Sequence, residues 1–335
     1  MSNTIVNSKT YTGSDLEKIF FRPILAGDSA EELGIRILYN MPMPTVLPVV
    51  STREDVMLPI DSKNYSWDTE QRTVDHREIQ MERVKAENAY SASDYFSTIF
   101  ESLSNKSGAN LTDLSGTDLE TAETDLFRKA IAESIRMNLW MGDTSNTNPT
   151  SYNSFDGILT KLYAAVGNYD CHYSDTSLSQ TLETKPITEV LDAYIEKSSP
   201  QLKGLFKEGQ VAFFVSPGVY KRYQAYLDEQ FGTAIYNDIQ NGRKQLMFRG
   251  FPIVEVNLQP YINVANIPAD YIVFTDRRNI VLAVNTADIP GAEIRMWYNP
   301  DVMQNRQRAV FAIGCEILDY NLVGAGMDYH EEEEE

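Results

Sequence analysis

Histidine is scarce in this chain of 335 residues. His76, His172 and His330 are the full set, and none lies in a motif. So few imidazoles leave little from which to build a Ser-His-Asp or Cys-His relay, and nothing in the sequence points to one. Cysteine is scarcer still. Cys171 and Cys315 lie far apart, so no disulfide framework and no four-ligand metal spacing exists. His172 follows Cys171 directly, which is poor geometry for a shared metal. Two lone thiols fit a reducing compartment. A glycine-rich phosphate loop is also missing: Gly324-Ala325-Gly326 follows a strand, but a charged tail and not a helix comes next. Paired carboxylates are so frequent that surface solvation is their ordinary role. The sequence therefore assigns no catalytic, cofactor-binding or metal-binding residue, and the expectation is a protein that is not an enzyme and needs no cofactor.

Positive charge is in deficit. Lys and Arg number 29 against 48 Asp and Glu, a net charge of −19. Such a chain repels phosphate backbones, which argues against sequence-reading DNA or RNA binding. The cations are scattered, and one close group, Arg306-Gln307-Arg308, sits in a strand-like region. Long apolar runs are missing too. No stretch approaches the roughly 20 residues that span a bilayer, and the opening MSNTIVNSKTYTGSD lacks the basic start and apolar core of a signal peptide. A soluble protein without a membrane partner is expected. What is abundant is apolar and aromatic: 42% hydrophobic, 11% aromatic, with 19 Tyr. That composition supports a packed core. Tyrosine also suits surfaces half buried against a partner, although filling sheet positions is the simpler role.

Along the chain, Gly13-Ser14-Asp15 predicts a short helix through Leu16, Ile19 and Phe20 that Pro23 ends. Residues 41–50 carry Pro42, Pro44 and Pro48, a density that forbids helix and favours an extended arm. Its apolar side chains need another surface, on the same chain or a neighbour. Residues 51–80 are polar, apart from Val56, Leu58 and Ile60 at strand spacing; Ile79, Met81 and Val84 then lead into a strand-like Ala89-Tyr90. This predicts a long hairpin or loop projecting from the body. The clearest helix is 118–141. Leu119, Ala122, Leu126, Ala130, Ile131, Ile135 and Leu139 form its stripe, Thr117 with Glu120 is a capping box, and Gly142 stops it. At about 36 Å it is long enough to be a strut. A polar loop follows at 143–154.

Residues 186–197 read as a helix, VAFFV at 211–215 as a strand buried on both faces, and Ser216-Pro217 as the cap and first turn of a helix to about Gln230. After 268 strands dominate: YIVFT, NIVLAV, EIRMWYN and AVFAIGCEILDY, the first two predicted to form a hairpin around Asp276-Arg277-Arg278. The class is α+β. The final five glutamates repel one another and are expected to stay solvated.

Five segments, in order, resemble the Hong Kong 97-type major capsid family of tailed phages. Ile135 to Asp143 resembles the end of that family's spine helix and the Gly-Asp loop after it. Phe155-Asp156-Gly157-Ile158-Leu159 is similar to the family's lead-in to its axial domain. Gln210 to Tyr226 resembles its strand and capped helix, Phe248-Arg249-Gly250-Phe251-Pro252-Ile253-Val254 its Gly-Pro turn, and Phe311 to Leu318 its long peripheral-domain strands. Together they cover about two thirds of the chain. The resemblance implies an N-terminal arm at 1–45 and an extended loop at 46–84. It implies a peripheral domain with the spine helix at 85–150 and 285–319, and an axial domain at 151–284 and 320–335.

The same resemblance implies a structural subunit that assembles with copies of itself into hexamers and pentamers of an icosahedral virion shell. That shell would be built in the host cytoplasm with portal and scaffolding proteins, and in some cases decoration proteins. Many members carry a cleaved N-terminal scaffolding segment. Here the arm begins almost at once, which implies a separate scaffold or one already removed. Lys63 is the only lysine of the extended loop, the position self-crosslinking members use, but a solvated lysine is the expected reading. An encapsulin-like compartment shell is the alternative within the fold, and an enzyme of unknown class the alternative outside it. The shell is expected to enclose double-stranded DNA without sequence-specific or tight binding, since −19 supplies few phosphate contacts. A locally basic face using Arg22, Lys129 or Arg136 would reverse that expectation.

Overall fold

The computed structural model describes residues 30–43, 45–52, 72–91, 113, 118–146, 152–231, 239–240, 243–244, 246–258, 269–286 and 294–329. The expected helix at Leu16–Phe20, the Val56-Leu58-Ile60 run, the Thr117 cap, Arg22, Lys63, His330 and the glutamate tail lie outside them. In chain order the first elements are β1 (Arg36–Leu38), β2 (Thr45–Thr52), β3 (Arg72–Ile79), β4 (Glu82–Tyr90), α1 (Asp118–Met141), α2 (Ile158–Gly167), β5 (Tyr173–Asp175), α3 (Leu178–Thr184), α4 (Ile187–Glu196) and α5 (Pro200–Leu205). Then come β6 (Val211–Val215), α6 (Pro217–Phe231), β7 (Ile239–Gln240), β8 (Arg243–Lys244), β9 (Leu246–Phe248), β10 (Phe251–Glu255), β11 (Tyr271–Asp276), β12 (Ile280–Val284), β13 (Ile294–Asn299), β14 (Gln304–Ile317) and β15 (Val323–Met327).

A continuous apolar strand has no polar side to show to water, so it must be covered twice. VAFFV does this as β6, every residue of which is buried. It lies inside a six-stranded mixed sheet ordered β5-β15-β11-β6-β10-β9. Alternate residues point to opposite faces. Val211, Phe213 and Val215 join Leu191, Tyr194 and Val219 in one core beneath α3–α6. Ala212 and Phe214 join Trp140, Leu159 and Leu162 in the larger core on the other face. Phe213 stacks on Phe274 of β11 with ring centroids 4.2 Å apart. Ser216 caps α6 as expected, its hydroxyl accepting from the Val219 amide at 3.3 Å. The turn between β9 and β10 is a two-residue hairpin with both residues left-handed, Arg249 at φ 49 and Gly250 at φ 89. Arg249 reaches Asp192 of α4 at 2.6 Å.

The second sheet is built on β14, a strand of 14 residues. Along one edge it pairs first with β13 (residues 304–309) and then with β12 (residues 313–317), and β1 lies parallel beside β12. Along the other edge it pairs with β4 through residues 305–313. β14 alternates: Asn305, Gln307, Ala309, Phe311 and Ile313 are buried, while Arg308 and Val310 are exposed. The buried face packs on α1.

α1 spans 118–141 as predicted, but its stripe is shifted. Phe127, Ile131 and Ile135 face the core, Leu126 is half buried and Ala130 is exposed. From Ile135 to Met141 every residue is buried, because that end passes between the two sheets; Trp140 lies 5.5 Å from Phe214. One strand pairing differs from expectation. YIVFT and NIVLAV do not form a hairpin: β11 belongs to the six-stranded sheet and β12 to the other. The short turn Arg277–Asn279 between them carries the chain across. Asp276 is buried, accepts from the Arg278 amide at 2.8 Å and binds the Arg278 guanidinium. That local closure leaves no geometry for a hairpin. β11 ends at Asp276 in one sheet and β12 begins at Ile280 in the other. The described part of the expected arm also packs on its own body, with Leu33 and Ile35 buried in the larger core.

Candidate assembly surfaces

Two of the segments quoted from the sequence meet in space. The Gly142 amide closes the last turn of α1 on the Asn138 carbonyl at 2.9 Å, and the Gly157 amide donates to the Gly142 carbonyl at 2.8 Å. The approach is backbone to backbone. A Cβ on Gly142 would fall 2.0 Å from the Phe155 carbonyl oxygen, and one on Gly157 would fall 2.6 Å from the Asn138 carbonyl oxygen. Asp156 then caps the loop, accepting from the Thr144 amide at 2.9 Å and hydroxyl at 2.7 Å. Lys161 of α2 ties this joint to β14 through the Cys315 carbonyl and the Glu316 carboxylate, 2.8 and 2.6 Å away. Arg136, buried on α1, forks onto Glu133 at 2.9 and 2.7 Å and reaches the Asn257 carbonyl at 3.2 Å. The arrangement fixes where the long helix points. It holds no exposed reactive group.

The β2–β3 hairpin is the second feature. Eight residues of each strand pair with each other and, among the described residues, with no other strand. At about 3.4 Å per residue this ribbon is roughly 27 Å long. Its base is anchored. Ile79 and Met81 pack with Val281, Ala283 and Ala312 on the second sheet, with Leu47 and Met41 against them. The chain between β3 and β4 crosses directly over Gly314 of β14, where a Cβ would meet the Gln80 carbonyl oxygen at 2.1 Å. Arg77 donates to the Ile317 carbonyl at 3.2 Å and lies over the Tyr320 ring. Val46 nevertheless remains 52% exposed, and Met43 46%. The projecting loop expected at 51–80 is therefore a hairpin stem, with residues 53–71 outside the described set.

The third feature is on the solvent face of the second sheet. Residues directly opposite one another across a ladder share a face. Arg295 stands opposite Arg308, Trp297 opposite Arg306, Glu87 opposite Arg308, Lys85 opposite Val310, and Arg83 opposite Ala312. Among the described residues this face carries five cations and one carboxylate, in a chain where acids outnumber bases 48 to 29. Glu87 sits within it, its carboxyl held below the usual range by Lys85 and Arg308.

The residues weighed in the sequence fall elsewhere. His76 is exposed on β3, His172 is exposed before β5, and Cys171 and Cys315 are buried free thiols. Burial pushes both thiols up to about 12, so neither is a thiolate at neutral pH. Gly324-Ala325-Gly326 is part of β15, inside a sheet. Among the described residues no cluster of three His, Cys, Asp or Glu could hold a metal, and no helix is long and apolar enough to cross a membrane. Of the three cations proposed for a basic face, Arg136 is buried in its ion pair, Lys129 is exposed on α1, and Arg22 is outside the described residues. The basic face was missed because its members come from three strands. Only register brings them together.

No protein-family model matches the chain, and no curated protein matches it. Solved structures do. The capsid of a native GTA particle superposes with a TM-score of 0.56 at 12% identity, over 97% of this chain and 96% of that one. A chain of the satellite phage P4 procapsid that includes the size determination (Sid) protein gives 0.52 at 12% identity, over 89% and 94%. The holo-SrpI encapsulin complex of Synechococcus elongatus gives 0.50 at 10% identity, over 96% and 98%. This is the Hong Kong 97-type capsid fold.

Proposed function

We propose that the chain is the major capsid protein of a tailed phage, a structural subunit that assembles into the icosahedral head shell around double-stranded DNA. The observation that carries this reading is the β2–β3 hairpin. It is a long ribbon anchored at its base, pairing with no other described strand, with Val46 left exposed on it. A ribbon of that kind gains most of its contact area from a neighbouring copy. In a closed shell each subunit both gives and receives that contact, and stability accumulates over many repeats. The partners are further copies in hexamers and pentamers, with a portal and scaffolding protein. No catalytic role is assigned, and the location is the virion after assembly in the host cytoplasm.

The fold shared with an encapsulin favours a second reading, a compartment shell loaded with protein cargo. Electron microscopy and composition of particles purified from the native source, with sedimentation of the chain expressed alone and with its scaffold, decide between the readings. Closed shells with a portal vertex and packaged DNA are expected. Closed cages holding protein and no DNA would replace the phage reading with the compartment reading. A stable monomer or dimer under both conditions would overturn both.

A further inference from the structure

We infer that the solvent face of the β4–β14–β13 sheet is a weak, sequence-independent contact surface for the nucleic-acid backbone. Arg83 and Lys85 lie in one row along β4, Arg306 and Arg308 in a second along β14, and Arg295 beside them on β13. Strands about 4.8 Å apart and residues about 3.4 Å apart make this a patch roughly 10 Å wide and 20 Å long. Arginine supplies four of the five cations, and its planar fork suits phosphate oxygens. Arg308 is held in place twice. Its guanidinium lies 5.9 Å from the Trp297 ring centroid, and it binds Glu87 at 2.5 Å. Rows of cations on neighbouring strands match a linear polyanion better than a single carboxylate ligand.

The magnitude sets the consequence. A duplex presents one charge per about 1.7 Å, so a 20 Å patch lies beside about twelve phosphates and can engage only those on its near side. Glu87 offsets part of the attraction. The expected contact is in the range of non-specific binding, a Kd of roughly 10⁻⁴ to 10⁻⁶ M, and strongly weakened by salt. The inference does not depend on shell assembly. It rests on the capsid reading only for where the nucleic acid would come from.

The test is retention of random-sequence duplex DNA by the full unassembled chain, measured as affinity against salt concentration. Assembly is followed separately by sedimentation, so either idea can fail alone. The variant Arg83→Gln/Arg295→Gln/Arg308→Gln changes only exposed side chains. It should weaken DNA retention at least tenfold and flatten the log–log salt slope by about 2.7, at about 0.9 per lost phosphate contact. Its melting temperature should match that of the parent. Lys203→Gln/Lys207→Gln, on a distant exposed surface, should change neither. Parent and triple variant binding alike, or no retention by the parent at low salt, would overturn the inference. So would equal retention of a glutamate-rich peptide that disappears in the same triple variant, since the face would then belong to an acidic protein segment.

Discussion

The two sheets of this protein are built from similar residues and put to different uses. The six-stranded sheet is covered on both faces: β6, β11 and β15 are buried at every residue, and a core lies on each side. The β14 sheet is covered on one face, by α1. Its other face is divided between the hairpin base, packed over Ala312 and Gly314, and an open basic surface over Arg308 and Val310. A sheet with two cores is a scaffold with no surface left to offer. A sheet with one core keeps a face for partners. On the proposed function, contacts with neighbouring copies are expected at the hairpin beside the second sheet, and mutations should separate the two sheets.

The largest effect belongs to the doubly covered side. Trp140→Ala should cost about 3–5 kcal/mol in chemical denaturation, because Trp140 is fully buried between the sheets and its removal leaves a large cavity. A loss below about 1 kcal/mol would mean that α1 does not wedge between them. Gly314→Ala should cost about 1–3 kcal/mol, since the added methyl forces the β3–β4 crossing away from β14. Proteolysis should then reach the hairpin base first; unchanged protease resistance would contradict the anchoring.

Deleting residues 55–75 sharpens the contrast. It should leave the core of the free subunit folded, with its cooperative unfolding transition retained, because the β2–β3 ladder it shortens pairs with no other described strand. Shells visible by sedimentation should nevertheless disappear. Normal assembly of the deletion would remove the hairpin from the interface.

Alkaline titration separates the regions less sharply. Cys315 on β14, Tyr223 beside the six-stranded sheet, and Cys171 and Tyr320 in the large core all have pKa values pushed up to about 12 by burial. Unfolded thiols release protons near 9.0 and phenols near 10.0, so above those values the unfolded state binds fewer protons than the native one. Stability should be constant from pH 7 to about 9 and fall as pH rises toward 12. Thiol reagents at pH 8 should label neither cysteine until the chain unfolds. The smallest effect should be Val310→Ser: at 61% exposure it should stay within about 0.5 kcal/mol by denaturation.

Much of this division was legible in the sequence. The continuous run at 211–215 announced a strand covered twice, and Ser216-Pro217 announced the helix after it. Prolines at 42, 44 and 48 announced extended chain, which β2 is. Two things were not legible. The α1 stripe runs through Phe127 where spacing had favoured Ala130, because its last two turns are buried all round and amphipathic phase loses meaning there. The crossing at 276–279 resembled a hairpin turn, since two apolar runs flank a short polar link in either case. What separates them is the choice of sheet, which local pattern does not encode. The basic face was hidden for the same reason: Arg83, Arg295 and Arg308 are neighbours only once three strands are in register.

The crossing has a mechanical consequence. β11 passes into β12 through residues 277–279, and β14 passes into β15 through 318–322. The two passages lie side by side, fastened by Asn279, whose side chain accepts from the Asp319 amide at 2.9 Å and donates to the Asp319 carbonyl at 2.9 Å. Any tilt of one sheet against the other must twist both passages about this contact as well as disturb the core shared around α1. Asn279 and Asp319 thus act as the pin of an axle, and load carried by the β14 sheet reaches the six-stranded sheet partly as torque at these two residues.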